Sequence, residues 1–320
     1  MSSHDFLQRV VITGASSGIG EATAHAFARQ GARLAIAARD ADALARVARR
    51  CMAIGSPQVL VVPADITDAA AVKRLADRAV RELGRIDVWF SNVGVGAVGS
   101  FQDTPIAAHE QVIRANLVGH VNDAHAALPV FLRQGHGVFI NMISLGAFAP
   151  APFAAAYTAS KYGLRGFSEA LRGELAQHRG IHVCDVYPSF IDTPGLMHGA
   201  NYLGRALTAP PPVYDARRVA RAVVRLADDP RPTTVVGAFA QLARLGHFLA
   251  PETTTRLAAA FMRAYFRRAR PAPVSDGNLF APPAQAGGID GGLRRRPGPG
   301  QVALIAAGGT LAMLLLAGRR

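Results

Sequence analysis

The sequence predicts an α/β fold, a doubly wound parallel sheet with helices on both faces, and two observations predict it. Up to residue 190, short β-branched runs alternate with longer alanine-rich segments of helical period, the order expected of right-handed βαβ units. The first run, Val10-Val-Ile-Thr, feeds a glycine-rich turn, Gly14-Ala-Ser-Ser-Gly18-Ile-Gly20, that opens a helical pattern. With 320 residues and 50% hydrophobic content the chain can bury one large core. No repeat of solenoid type is present.

Taken in order, the candidate strands are 9–13, 33–37, 58–63, 86–91, 138–143 and 181–187, each short and dominated by Val, Ile, Leu or Phe. Between them lie helical patterns at 21–30, 41–50, 69–83 and 156–177, and Asp40 stands where a cap for the second would. After Tyr187 the pattern loosens into a Gly- and Pro-containing segment, then resumes as helices at 215–227 and 252–268. Residues 271–300 are rich in Pro and Gly without periodicity and read as a linker. This divides the chain into a body (1–270), a linker (271–300) and a terminal segment (301–318).

The terminal segment carries no charge over 18 residues and is fenced by Arg294-Arg295-Arg296 and Arg319-Arg320. As a helix it spans about 27 Å, the short end of what a hydrocarbon core demands. It predicts a membrane anchor, with an apolar helix docked on protein as the alternative. The flanking arginines favour a cytoplasmic body. Along 252–270, Arg256, Arg263, Arg267 and Arg270 share one helical face and Leu257, Phe261 and Tyr265 another. That suits a surface helix, or a basic helix on anionic headgroups. The net charge of +13 suits an anionic partner. With no aromatic-rich RNA signature or DNA-reading motif, nucleic acid is not expected. Two cysteines, Cys51 and Cys184, exclude a disulfide framework and offer no metal spacing. Met1 to Asp5 is polar and the following apolar run short, so no cleavable signal peptide is expected.

The glycine turn has the spacing G-x3-G-x-G. Glycines serve where a backbone must turn tightly and approach a pyrophosphate, and the following helix offers unpaired N–H groups to the anion. Gly14, Gly18, Ile19 and Gly20 are therefore candidate cofactor residues, with Ser16 and Ser17 as hydroxyl donors near phosphate. The same residues match the G-x-S-x-G of a hydrolase nucleophile elbow, but an elbow needs earlier strands and none precede it. At the end of the second strand, Ala38 stands where an acidic side chain would receive ribose hydroxyls, and Arg39 follows. A guanidinium there suits a 2′-phosphate, so NADP(H) is expected over NAD(H).

Only two of the 35 basic residues are lysines, Lys73 and Lys161. Lys161 stands four residues after Tyr157, on the same face of a helix, and thirteen residues before Tyr157 is Ser144 at a strand end. Together, Thr13-Gly14-x3-Gly18-x-Gly20, Asp65, Ser91-Asn92-Val93-Gly94, Asn116, Ser144 and Tyr157-x3-Lys161 resemble the motif set of the short-chain dehydrogenase/reductase family, in the family's order, over roughly residues 8–250. The resemblance implies a Rossmann fold and an oxidoreductase that interconverts a carbonyl and an alcohol. Tyr157 is then the general acid and base. Lys161 holds down its pKa and binds the nicotinamide ribose, Ser144 orients the substrate oxygen, and Asn116 positions a water behind the lysine. Arginine could not relay a proton in the same place. The resemblance also assigns Asp65, Ile66, Asn92, Gly94, Ile191 and Thr193 to the cofactor. It makes 189–214 the substrate loop and implies a homodimer or homotetramer. Asp65 could also cap the helix after it. Ser91, Val93, Ile143 and Pro188-Ser189 depart from the family pattern without removing a catalytic group. Phe148, Phe153, Phe190, Leu196, Met197, Tyr202 and Leu203 suggest an apolar substrate. A sensor or scaffold that binds NADP(H) without turnover is the alternative, against which Ser144, Tyr157 and Lys161 argue. A lyase or epimerase on a similar fold is disfavoured by the glycine spacing.

Overall fold

The computed structural model describes residues 7–283 and 287–294. The candidate anchor at 301–318 lies outside the described residues. Seven parallel strands form one sheet: β1 (Arg9–Thr13), β2 (Arg33–Ala38), β3 (Val59–Pro63), β4 (Val88–Ser91), β5 (Gly137–Met142), β6 (Ile181–Pro188) and β7 (Thr233–Val236). Their spatial order is β3-β2-β1-β4-β5-β6-β7. The order reverses between β1 and β4, which pair in parallel through Val11 and Trp89. A crevice opens beyond the carboxyl ends of strands at such a switch point.

Strand residues alternate between two cores. Val10, Ile12, Leu34, Ile36 and Phe90 face one layer, built with α1 (Gly18–Arg29), α2 (Ala41–Ala53) and a later helix, Ala216–Asp228. Val11, Ala35, Trp89 and Phe139 face the other, built with α3 (Ala69–Leu83), Gly119–Gln134 and Leu171 of Ala155–Glu174. The strands are buried on both faces, which explains their unbroken apolar runs. Asp40 caps α2 by accepting from the Ala43 N–H at 2.9 Å. Asp65 does not cap α3. Asp68 does, accepting from Ala70 N at 2.8 Å, while Asp65 closes a local turn with the N–H and hydroxyl of Thr67.

Three elements add to the expected set. One long helical stretch runs through α4 (Ile106–Ile113), a π-helical segment (Arg114–Val118) and α5 (Gly119–Gln134). Strand β7 is the seventh strand. After α6 (Ala155–Glu174), α7 (Pro194–His198) and α8 (Ala216–Asp228), α9 (Ala238–Leu249) precedes α10 (Pro251–Arg268). No residue of α10 is buried, and Phe248 at the end of α9 is 81% exposed. Among the described residues no helix is long and apolar enough to cross a membrane.

The segment read as a linker has little regular structure, but its described part packs on the body. Ser275 bridges Asn201, Leu279 is fully buried beside Val95, Ala97 and Val112, and Tyr202 donates its hydroxyl to Asp276 at 2.6 Å. Three of its described glycines, Gly277, Gly287 and Gly291, stand in close backbone contacts: a Cβ on Gly287 would stand 2.9 Å from that of Ser17.

Candidate active site

The glycine turn joins β1 to α1 at the switch point. Gly14 and Gly18 adopt left-handed backbone, φ 66° and 55°, which side chains other than glycine's resist. A Cβ on Gly20 would collide with the Gly14 carbonyl oxygen and lie 2.8 Å from Asn92 Nδ2. Asn92 itself donates to Gly14 O at 3.1 Å, so the β4 loop braces the turn. Ser16, Ser17 and Ile19 are half-buried at its edge. Thr193 abuts the turn, 3.1 Å from where a Gly18 Cβ would sit, and Ile191 and Thr193 flank the buried Asp192. Ile66 lies under Gly119, and Gly94 is exposed with open space around it. Arg39 is engaged: its guanidinium donates to the carbonyls of Asn278 (2.6 Å), Leu279 (3.2 Å) and Ala281 (3.3 Å).

The expected catalytic residues gather at the carboxyl ends of β4 and β5. Ser144 follows β5, and its Oγ accepts from Gly146 N at 3.0 Å. Tyr157 rises from the first turn of α6, with its ring against Gly146. Burial raises the Tyr157 pKa, and a hydrogen bond from Ser144 opposes that shift. One turn on, Lys161 is 2% exposed. Its Nζ lies 5.8 Å from the centre of the Tyr157 ring and donates to Met142 O at 3.0 Å. Burial brings its pKa down to about 7. Asn116 sits in the π-helical segment, where the extra residue per turn turns its amide inward. Its Oδ1 accepts from Val95 N at 2.8 Å, and its Nδ2 donates to Val95 O at 2.9 Å and to Ser160 Oγ at 3.3 Å. Here it fixes the loop after β4.

Two buried polar residues were not anticipated. His120 lies 2.9 Å from Asn141 Oδ1 and 2.8 Å from Val93 O, and burial, then the charge of Lys161, lower its pKa to about 4. It is therefore neutral, and its single ring N–H donates to one of these two oxygens. Asp123 accepts from both the Thr13 and the Ser91 hydroxyls at 2.7 Å, tying the glycine turn to β4. Ser91, the departure from the usual asparagine, is half of this tie. Asn116, His120 and Asp123 are four and three residues apart on one helical face, a spacing visible in the sequence.

Burial raises the Asp123 pKa from 3.8 to about 7. Above about pH 7 the fold therefore holds an ionised carboxylate that the unfolded chain would solvate, and stability falls as pH rises from 3.8 to 7. Asp123→Asn keeps the hydrogen-bonding shape without the charge. It is expected to stabilise the protein by about 2–4 kcal/mol near pH 8 and by less than half of that near pH 5. Urea unfolding at the two pH values measures it, and an equal effect at both would mean that burial does not raise the Asp123 pKa.

The aromatic residues divide. Phe148 is 5% exposed and stacks on Tyr187 at 4.3 Å, so it belongs to the core and not to a pocket. Phe153, with φ 65°, meets Phe266 of α10 edge to face at 5.5 Å, and Phe190 meets Phe239 of α9 at 5.7 Å. These pairs place α9 and α10 beside the loops that follow Ser144 and β6. Met197 in the expected substrate loop is 56% exposed.

A sequence profile described as short chain dehydrogenase matches residues 8–201. The chain is 35% identical over 182 residues to the dehydrogenase/reductase SDR family member 7 of Mus musculus, covering 56% of this chain and 54% of that protein. It is 36% identical over 185 residues to the 11-beta-hydroxysteroid dehydrogenase A of Sesamum indicum, covering 58% and 52%. The chain thus spans about half the length of these relatives. A metagenomic short-chain oxidoreductase solved in complex with NADP superposes with a TM-score of 0.60 at 30% identity, over 72% of this chain and 96% of that one.

Proposed function

The chain belongs to the short-chain dehydrogenase family, and from that premise we propose that it is an NADP(H)-dependent oxidoreductase interconverting an apolar carbonyl compound and its alcohol. The observation that carries the proposal is the triad: Ser144 and Tyr157 both against Gly146, with a buried lysine one helical turn from the tyrosine, beside a glycine turn at the switch point.

The residues present fit a dinucleotide. Glycine at 20 lets the turn close against the Gly14 carbonyl, the N–H groups at the start of α1 lie beside it, and Arg39 follows the end of β2, where a 2′-phosphate would lie. Gly14, Gly18, Ile19 and Gly20, with Ser16 and Ser17, would hold the pyrophosphate side; Asp65 and Ile66 the adenine; Asn92, Gly94, Lys161, Ile191 and Thr193 the nicotinamide side. Bound there, the nicotinamide supplies or accepts the hydride.

The chain's own part is to orient the substrate oxygen and move its proton. Ser144, whose hydroxyl lies near enough to Tyr157 to oppose the rise of its pKa, would donate to that oxygen. The raised pKa keeps the Tyr157 phenol protonated at neutral pH, so it serves as proton donor to a carbonyl oxygen. In the reverse direction the phenol must lose its proton, and the Lys161 ammonium favours that state. A lysine whose pKa lies near 7 can also give up and regain a proton, which a guanidinium cannot. The Phe153–Phe266 and Phe190–Phe239 pairs on the two adjoining loops support an apolar substrate.

The test is cofactor oxidation by the purified full chain against a panel of apolar ketones and aldehydes, with NADPH and NADH in parallel. Turnover is expected with NADPH. Arg39→Ala is expected to lower kcat/KM for NADPH about tenfold or more and leave NADH nearly unchanged, since it removes a charge-assisted bond to one cofactor alone. Equal use of both cofactors by the unaltered protein would refute the NADP(H) preference. Binding of NADPH with no turnover in either direction would favour a sensor.

A further inference from the structure

The described residues after α10 lie where a dinucleotide would. Gly288 O accepts from the Gly18 N–H at 2.8 Å, the first-turn donor that a pyrophosphate would take. Gly287 packs against Ser17, close enough that a Cβ would meet Ser16 O at 3.1 Å, and a Cβ on Gly291 would collide with the Thr193 backbone. Arg39 spends its donors on the carbonyls of 278, 279 and 281, oxygens standing in for those of a 2′-phosphate. We propose, on the reading of this crevice as an NADP(H) site, that residues 278–283 and 287–294 form an intramolecular strap that competes with the cofactor and sets its affinity.

Both ends of the described strap are secured, and the two ends differ. At the first, Leu279 is fully buried among Val95, Ala97 and Val112, an apolar anchor that stays put. At the second, a set of charged contacts acts as a latch. Asp192, 2% exposed, accepts from Gly291 N at 3.0 Å, Leu293 N at 2.8 Å and Arg294 Nε at 2.9 Å. Arg294 also pairs with Asp215 at 2.7 Å and with Asp290. Asp290 is clasped by Arg217 through two bonds of 2.8 Å. The latch thus carries a carboxylate, Asp290, to the N-terminal side of α1, where its charge reaches Glu21. A bound pyrophosphate would meet that negative charge and lose the Gly18 donor, so strap and cofactor exclude each other at this end. The latch side chains other than the buried Asp192 are partly exposed, so water can replace their contacts as the latch opens while the Leu279 anchor holds.

Two measurements on the full chain test this. Arg294→Glu sets a carboxylate against Asp192, Asp215 and Asp290 and opens the latch. The strap predicts that its dissociation constant for NADPH, read by calorimetry, falls about tenfold. A change of two charge units toward negative near an anionic cofactor would act in the opposite direction, so tightening cannot be a charge effect. An unchanged or weakened affinity would overturn the proposal. Hydrogen exchange of the unaltered chain supplies the second reading and does not depend on any variant folding. NADPH should speed exchange at the Gly291 and Leu293 amides as they leave Asp192. Slower exchange there would make the segment a cover over the cofactor and sink the competition. If NADPH binds neither the unaltered chain nor the variant, the cofactor reading itself fails, an outcome distinct from both.

Discussion

Tyr157→Phe is expected to lower kcat/KM for NADPH-dependent carbonyl reduction by about a thousandfold while leaving the dissociation constant for NADPH within about threefold of the original. The substitution removes one oxygen. The ring keeps its place against Gly146, and Ser144 Oγ keeps its bond from Gly146 N, so the site does not collapse. What is lost is the only proton that the described residues aim at the substrate oxygen beside that of Ser144. Ser144 can still donate a hydrogen bond, but a serine hydroxyl cannot give its proton away at neutral pH, which sets the difference between polarising a carbonyl and protonating an alkoxide. Steady-state kinetics and calorimetry on the same preparation separate the two effects. A variant with near-normal turnover would remove Tyr157 from the chemistry. A variant that no longer bound NADPH would show that the phenol serves binding rather than proton transfer.

Much of this arrangement was legible in the sequence, for reasons that can be traced. Six of the seven strands stand out because both faces of the sheet are covered, so Val10-Val-Ile or Val59-Leu-Val-Val reads as an unbroken apolar run. β7 is only Thr233-Thr-Val-Val, its first three residues are not fully buried, and Asp-Pro-Arg-Pro just before it reads as turn. The α4–α5 stretch was hidden for a more instructive reason. Its inward face carries Asn116, His120 and Asp123, all fully buried, where a helix of ordinary core would carry leucine. Apolar periodicity is weakened where polar braces interrupt a buried face that otherwise carries Ala108, Val112, Ala124, Ala127, Val130 and Phe131. The structure brings Ser144, Tyr157 and Lys161 together at the crevice, where the family resemblance of their spacing had put them. The strap was not legible: glycines that permit close backbone approach and glycines that confer flexibility look alike in a sequence, and only the contacts at Ser17 and Thr193 tell them apart.

Lys161→Met is expected to move activity and stability in opposite directions. In the unaltered fold Lys161 is 2% exposed, its one described hydrogen-bond acceptor is a carbonyl, and no carboxylate pairs with it. Its pKa is therefore pulled from 10.5 to about 7 by burial. Below about pH 7 the lysine is charged in both folded and unfolded chains, and the full cost of burying the charge is present. Between 7 and 10.5 the unfolded chain binds the proton that the folded one has released, so stability rises with pH and the cost is relieved. Methionine fills nearly the same volume without the charge, at the loss of one hydrogen bond to Met142 O worth about 1 kcal/mol. The variant should therefore be more stable than the original by about 2 kcal/mol near pH 6, and the advantage should shrink toward zero or reverse near pH 10. Urea unfolding across that range reads the difference directly, and a pH-independent difference would mean that burial does not lower the lysine's pKa, the fold holding the proton as firmly as the unfolded chain does. Turnover should meanwhile fall about a hundredfold or more, because the phenol loses its neighbouring charge and the nicotinamide side loses a donor. Were both effects found, Lys161 would be a residue that lowers stability where it sits and raises rate, a physical reason for a chain whose basic residues are almost all arginine to place a lysine at this position.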